Sequence, residues 1–128
     1  MAPTIIALVE TKTRLTVIEY AHLAVDVASD KQASEIVMLD IREVSDFADY
    51  FVILTAESTR QIDALAEEIE RTLKIHGATM HHREGSAQGG WMLLDFGDIV
   101  LHLFSPEQRN FYYVEGAWPG GVETVRIQ

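Results

Sequence analysis

The 128-residue chain contains no cysteine, which excludes disulfides, thiolate zinc sites and cysteine nucleophiles together and is compatible with a reducing cytoplasm. It is also poor in cations: 10 lysines and arginines stand against 20 aspartates and glutamates, a formal charge of -10. A nucleic-acid backbone would be repelled at long range, so direct DNA or RNA binding over a large surface is disfavoured. A basic protein partner is favoured instead, because complementary charge speeds encounter and fixes orientation. Solubility alone accounts for many acidic chains equally well. No apolar run reaches membrane-spanning length, so no membrane association is expected. The start, MAPTIIALVETKTRL, is interrupted by Glu10 and lacks a basic beginning, which argues against a secretory signal and for a cytoplasmic protein. The length suits one domain with its own core.

Residues 1–16 show no sustained period and read as an N-terminal arm or tail, with residues 17–128 as the domain. From Val17 the apolar residues Val17, Tyr20, Ala24 and Val27 recur at helical spacing, and the helix should end near Asp30-Lys31. Ile36 to Ile41 reads as a strand. Tyr50 to Thr55, YFVILT, is an almost unbroken apolar run and predicts a central strand buried on both faces. Ser58-Thr59-Arg60-Gln61 matches a capping box, opening a helix whose stripe is Ile62, Leu65, Ile69 and Leu73 and whose stop is Gly77. Ala78 to Glu84 predicts another strand, and Gly85 to Gly90 a flexible loop. Trp91 to Phe96 and Ile99 to Phe104 predict a hairpin closed by Gly97-Asp98. A short helix fits after Pro106. The fold class is therefore α/β, a mixed sheet of about five strands flanked by helices, with the strand–helix–strand unit in the middle crossing over right-handedly.

Chemistry is harder to find. Asp40, Asp46, Asp49, Asp95 and Asp98 fall near strand ends, where paired acids could hold magnesium for nucleotidyl transfer. No glycine-serine phosphate loop or concentration of lysine and arginine accompanies them, and turn caps explain acids in such places. Asp95-Phe96-Gly97 matches the kinase magnesium motif by letters alone, since the chain is too short for a kinase and lacks its other loops. Neither a G-x-x-x-x-G-K-[ST] loop nor a G-x-S-x-G elbow occurs. His81 and His82, neighbours on a strand, point to opposite faces and cannot readily share an ion. No metal and no cofactor is expected. His102 lies among Leu101, Leu103 and Phe104, where a buried ring needs a hydrogen-bond partner, as a structural or a binding residue.

Aromatics remain. Trp91, Leu93 and Asp95 alternate with Met92, Leu94 and Phe96, so one face of that strand can fill the core while the other turns tryptophan outward. Phe111, Tyr112, Tyr113 and Trp118 follow the last expected strand closely. Tyrosine and tryptophan are favoured at interface hot spots. Trp91 and Trp118 could each cap the core instead; as a group, with no catalytic set competing, they favour a docking surface.

Four segments in the same order carry a family resemblance: DIREVSDFADYFVILT, STRQ, GWMLLDFGDIVLHLF and RNFYYVEGAW. From Leu39 to Trp118 the chain resembles the ribosomal silencing factor family, also called Iojap-like. Ala56 stands where that family usually has glycine, and Gly116-Ala117 replaces a bulkier pair before Trp118. The resemblance implies a domain of nucleotidyltransferase-like topology without catalytic acids. It further implies a non-enzymatic translation repressor that binds the large ribosomal subunit through its protein L-fourteen and sterically blocks joining of the small subunit. A magnesium-dependent nucleotidyltransferase-like enzyme and a large-subunit assembly factor are the alternatives, and a homodimer of the free protein is possible. Carried over by motif, the partner-binding residues are Asp49, Tyr50, Trp91, Asp95, Asp98, His102, Tyr112, Glu115 and Trp118. Of these, Asp98 doubles as the hairpin turn and Glu115 as a candidate for internal pairing.

Overall fold

Thr16 starts the first helix. The structure is a computed structural model that describes residues 14–112 and 119–128. In α1, Val17–Asp30, the Thr16 hydroxyl accepts the Glu19 N–H at 3.3 Å while the Glu19 carboxylate accepts the Thr16 N–H at 2.9 Å. This closed capping box satisfies two otherwise orphaned groups of the helix start. Its hydrogen bonds, the one from the Thr16 backbone foremost, hold the Glu19 carboxyl below its ordinary pKa. The helix buries Ala21, Ala24, Val25, Val27 and Ala28, mostly small residues that let it lie close to its neighbours.

The second helix, α2 at Thr59–Ile75, begins as expected at Ser58, whose hydroxyl accepts the Gln61 N–H at 3.1 Å. The reciprocal half of the expected capping box is displaced by one residue: Gln61 Oε1 accepts the N–H of Glu57, at 2.7 Å, rather than that of Ser58. The side-chain amide then donates to the carbonyls of Lys31 and Gln32, tying the end of α1 to the start of α2. Ile62, Leu65, Ala66, Ile69 and Leu73 form the buried stripe. Gly77, at φ +100°, stops the helix, with Ala78 N–H donating to Leu73 O and Gly77 N–H to Lys74 O, the paired bonds of a Schellman stop. Tyr20 adds a second tie between the helices by donating its hydroxyl to the His76 carbonyl.

Six strands form one mixed sheet: β1 Ser34–Asp40, β2 Tyr50–Thr55, β3 His82–Ser86, β4 Trp91–Asp95, β5 Ile99–Phe104 and β6 Val122–Ile127, in the order β3-β4-β5-β2-β1-β6. Only β2 and β5 pair in parallel. Both are buried along their whole length, as the run YFVILT predicts for β2. The strand lying parallel beside β2 is β5 rather than β3, because β3 continues to the sheet's far edge. The strand expected from Ala78 starts only at His82, and Gly85-Ser86, expected in a loop, pair with Met92 and Trp91. The edge strand β6 has no counterpart in the sequence reading. A short helix, α3 at Pro106–Tyr112, follows β5.

Strand alternation divides the core in two. On one face, Ile36, Met38, Tyr50, Val52, Leu54, Met92, Leu94, Ile99, Leu101 and Leu103 pack under α1 and α2. On the other, Val37, Leu39, Phe51, Ile53, Val100 and Phe104 cluster with Ile41 and Ala48, and Trp91 and Leu93 pack at their margin. Arg109 of α3 is buried against this second face and donates to Thr55 Oγ1 at 2.9 Å, which fixes the helix over the ends of β2 and β5.

Candidate functional site

The second face carries the candidate site. Register places Glu84, Leu93, His102, Ile53 and Val37 in one row across β3, β4, β5, β2 and β1. The next row holds His82, Asp95, Val100 and Phe51. Between them lies a hollow of about 310 Å³ lined by Phe47, Phe51, His82, Glu84, Leu93, Asp95, Val100 and His102. Its floor is apolar and its rim ionisable, the arrangement in which an apolar anchor sets affinity and charge sets orientation.

His102 organises the face. The ring is 8% exposed, meets Phe51 edge-on with centroids 5.2 Å apart, and lies parallel to Phe104 at 6.0 Å. Trp91 Nε1–H donates to its Nδ1 at 3.2 Å, so the buried imidazole has the partner that its place in an apolar strand demands. That bond also orients the indole, which remains only half-buried. Gly85 permits the arrangement: it sits at φ +79°, and a Cβ there would fall 2.3 Å from the Trp91 carbonyl oxygen and 2.9 Å from the indole ring. Phe47 stands at the rim, 60% exposed, its ring 6.1 Å from that of Phe51.

The residues carried over by motif do not all gather here. Trp91, Asp95 and His102 share the face. Asp95 also shapes the hairpin, its Oδ1 accepting the Gly97 N–H at 2.7 Å, while the turn closes through Phe96 N–H to Ile99 O at 2.9 Å. The letters Asp95-Phe96-Gly97 therefore have a turn as their physical origin, with Gly97 at φ +92°. Asp49 and Asp98 meet through their backbones, Asp49 N–H donating to Asp98 O at 2.7 Å, and this bond pins the start of β2 to the hairpin. Tyr50 belongs to the helix-covered face and is 2% exposed, with the Arg42 guanidinium 5.4 Å from its ring, so it presents almost no surface. Tyr112 ends α3, but its side chain, Glu115 and Trp118 lie outside the described residues.

Asp40 is engaged in a two-pronged pair with Arg42, at 3.0 and 2.6 Å, and this guanidinium holds its carboxyl below the ordinary range. Among the described residues no three histidines, aspartates or glutamates converge as metal ligands. Sequence reasoning missed Phe47. An aromatic in the polar break before a fully buried strand was the available signal, for such a side chain has no core position of its own.

A family model described as "Ribosomal silencing factor during starvation" matches residues 14–128. The chain belongs to this family. A relative named Ribosomal silencing factor RsfS, from Halalkalibacterium halodurans, is 34% identical over 110 residues, spanning 86% of this chain and 93% of that protein. A mouse protein named Mitochondrial assembly of ribosomal large subunit protein 1 is 29% identical over 99 residues, 75% of this chain and 43% of its own. A crystal structure of a Chromobacterium violaceum protein superposes with a TM-score of 0.78 at 29% identity, covering 89% of this chain and 95% of that one.

Proposed function

We propose that the chain is a translation repressor in the cytoplasm that binds the large ribosomal subunit through its protein L-fourteen and blocks joining of the small subunit by occupying the joining face. Membership of the silencing factor family carries this reading. The local chemistry supports it. The hollow offers an apolar floor to an aliphatic side chain, and Asp95 and Glu84 at its rim offer carboxylates to the lysines or arginines of a basic ribosomal protein. Phe47 and Trp91 are the exposed and half-exposed aromatics from which such a contact draws its area. The role is steric and requires no chemical step, cofactor or metal.

The partner-binding set we propose is Trp91, Asp95 and His102, joined by Phe47, with Asp49 and Asp98 shaping the adjacent hairpin end and Tyr50 supporting the fold. Tyr112, Glu115 and Trp118 retain the role that the motif gives them. The mouse relative's name favours a second reading, in which the same docking serves large-subunit assembly. Co-sedimentation with isolated large subunits tests the shared step. Binding of the wild type, weakened by about 2 kcal/mol or more in Trp91→Ala, is expected if Trp91 is a hot spot. A folded Trp91→Ala protein with undiminished affinity would remove Trp91 from the interface.

A further inference from the structure

We propose that His102 is a proton-sensitive latch for the docking face: protonation of its Nδ1 releases the Trp91 indole and weakens docking. The inference rests on the docking role of that face. An indole N–H can only donate, so the bond of 3.2 Å from Trp91 Nε1 requires a lone pair on His102 Nδ1. The ring is therefore neutral in this arrangement, with its proton on Nε2. Charging it places a second N–H opposite the first, and a hydrogen bond becomes a donor–donor contact.

The two rings differ in their freedom to respond. The imidazole is 8% exposed and held between Phe51 and Phe104. The indole is half-buried at the end of β4 and can take water as its acceptor. Protonation therefore moves Trp91, the surface residue, and leaves the core rings in place. Among the described residues the ionisable groups on this face are Asp95 from β4, His82 and Glu84 from β3 (3.6 Å apart) and Arg109 from α3, and β2 contributes none. The carboxylates favour the charged imidazole, whereas burial and the Trp91 bond favour the neutral one.

The test follows two signals of the ¹⁵N-labelled full chain by NMR from about pH 7.5 to about pH 5. They are the Trp91 indole N–H, assigned with Trp91→Phe, and the ring protons of His102. One shared midpoint is expected, unmoved in His82→Gln. Affinity for isolated large subunits should fall about tenfold over the same interval, the equivalent of one lost hydrogen bond. His102→Asn, which keeps an acceptor near the Nδ1 position but cannot titrate, should flatten that dependence. An indole signal that ignores the titration of His102, or a full pH dependence in His102→Asn, would overturn the latch. Absence of subunit binding at every pH would overturn the docking role beneath it, while the coupled titration remains a separate readout.

Discussion

Phe47→Ala separates docking from folding more cleanly than any other substitution on this face. The residue is 60% exposed, and among the described residues its ring meets that of Phe51 at 6.1 Å, at the margin of the second core cluster. A phenylalanine carries about 200 Å² of side-chain surface, so about 120 Å² remains for a partner to cover. At about 25 cal/mol per Å² that burial contributes about 3 kcal/mol. Immobilising the ring costs about 1 kcal/mol, leaving about 2 kcal/mol. The affinity for large subunits should therefore fall about thirtyfold. Folding should lose less than about 1 kcal/mol, a shift in Tm of less than about 5 °C. Quantitative co-sedimentation against a dilution series of large subunits, run beside a thermal melt, reads both. A folded Phe47→Ala protein that binds as tightly as the wild type would refute the assignment of the hollow and its rim to the partner.

Three further outcomes follow from the local geometry. Gly85→Ala should destabilise by more than about 2 kcal/mol in chemical denaturation, because the added Cβ meets the Trp91 carbonyl at 2.3 Å in a backbone conformation at φ +79°; an unchanged midpoint would contradict the tight crossing. Thr55→Val should cost about 1–3 kcal/mol by the same measurement, since it deprives the buried Arg109 guanidinium of the hydroxyl it reaches at 2.9 Å. Glu19→Gln addresses pH: the Glu19 carboxyl is held below its ordinary value by the Thr16 hydrogen bonds. Its contribution is thus present above the unfolded pKa of about 4.3 and is lost as pH falls through the lower folded value. The difference in Tm between wild type and Glu19→Gln should exist at neutral pH and vanish in acid; a constant difference would place the effect elsewhere.

Where the core was dense, its order was legible in sequence. YFVILT gives β2 to the residue, and Gly97-Asp98 gives the hairpin, because burial on two faces and a positive φ each demand a restricted residue set. The sixth strand was not legible: VETVRI lies at a sheet edge with Val122 57% exposed, so little burial shapes its pattern. The bounds of β3 differed, His82–Ser86 against the expected Ala78 to Glu84, for a similar reason, since HREGS is exposed throughout and its pairing with β4 defines it. The face on which Trp91 lies was legible where alternation decided it. Trp91 and His102 point to the second face because Met92, Leu94, Leu101 and Leu103 fill the first. Tyr50 shows the limit of transfer by motif, for its neighbour Phe51 faces the hollow while Tyr50 itself lies under the helices. Phe47 carried a signal in sequence, an aromatic just ahead of a buried strand, but its place beside the hollow came only from the fold, which brings residues distant in sequence around it.

Anti-association is the central claim, and an order-of-addition joining assay tests it most directly. Large subunits are incubated with the protein, small subunits are added, and the particles are separated on a sucrose gradient. The account predicts that joined ribosomes decline as the protein saturates the large subunit, with the protein retained on the free large subunit and Phe47→Ala requiring a correspondingly higher concentration. Undiminished joining at full occupancy of the large subunit would contradict it.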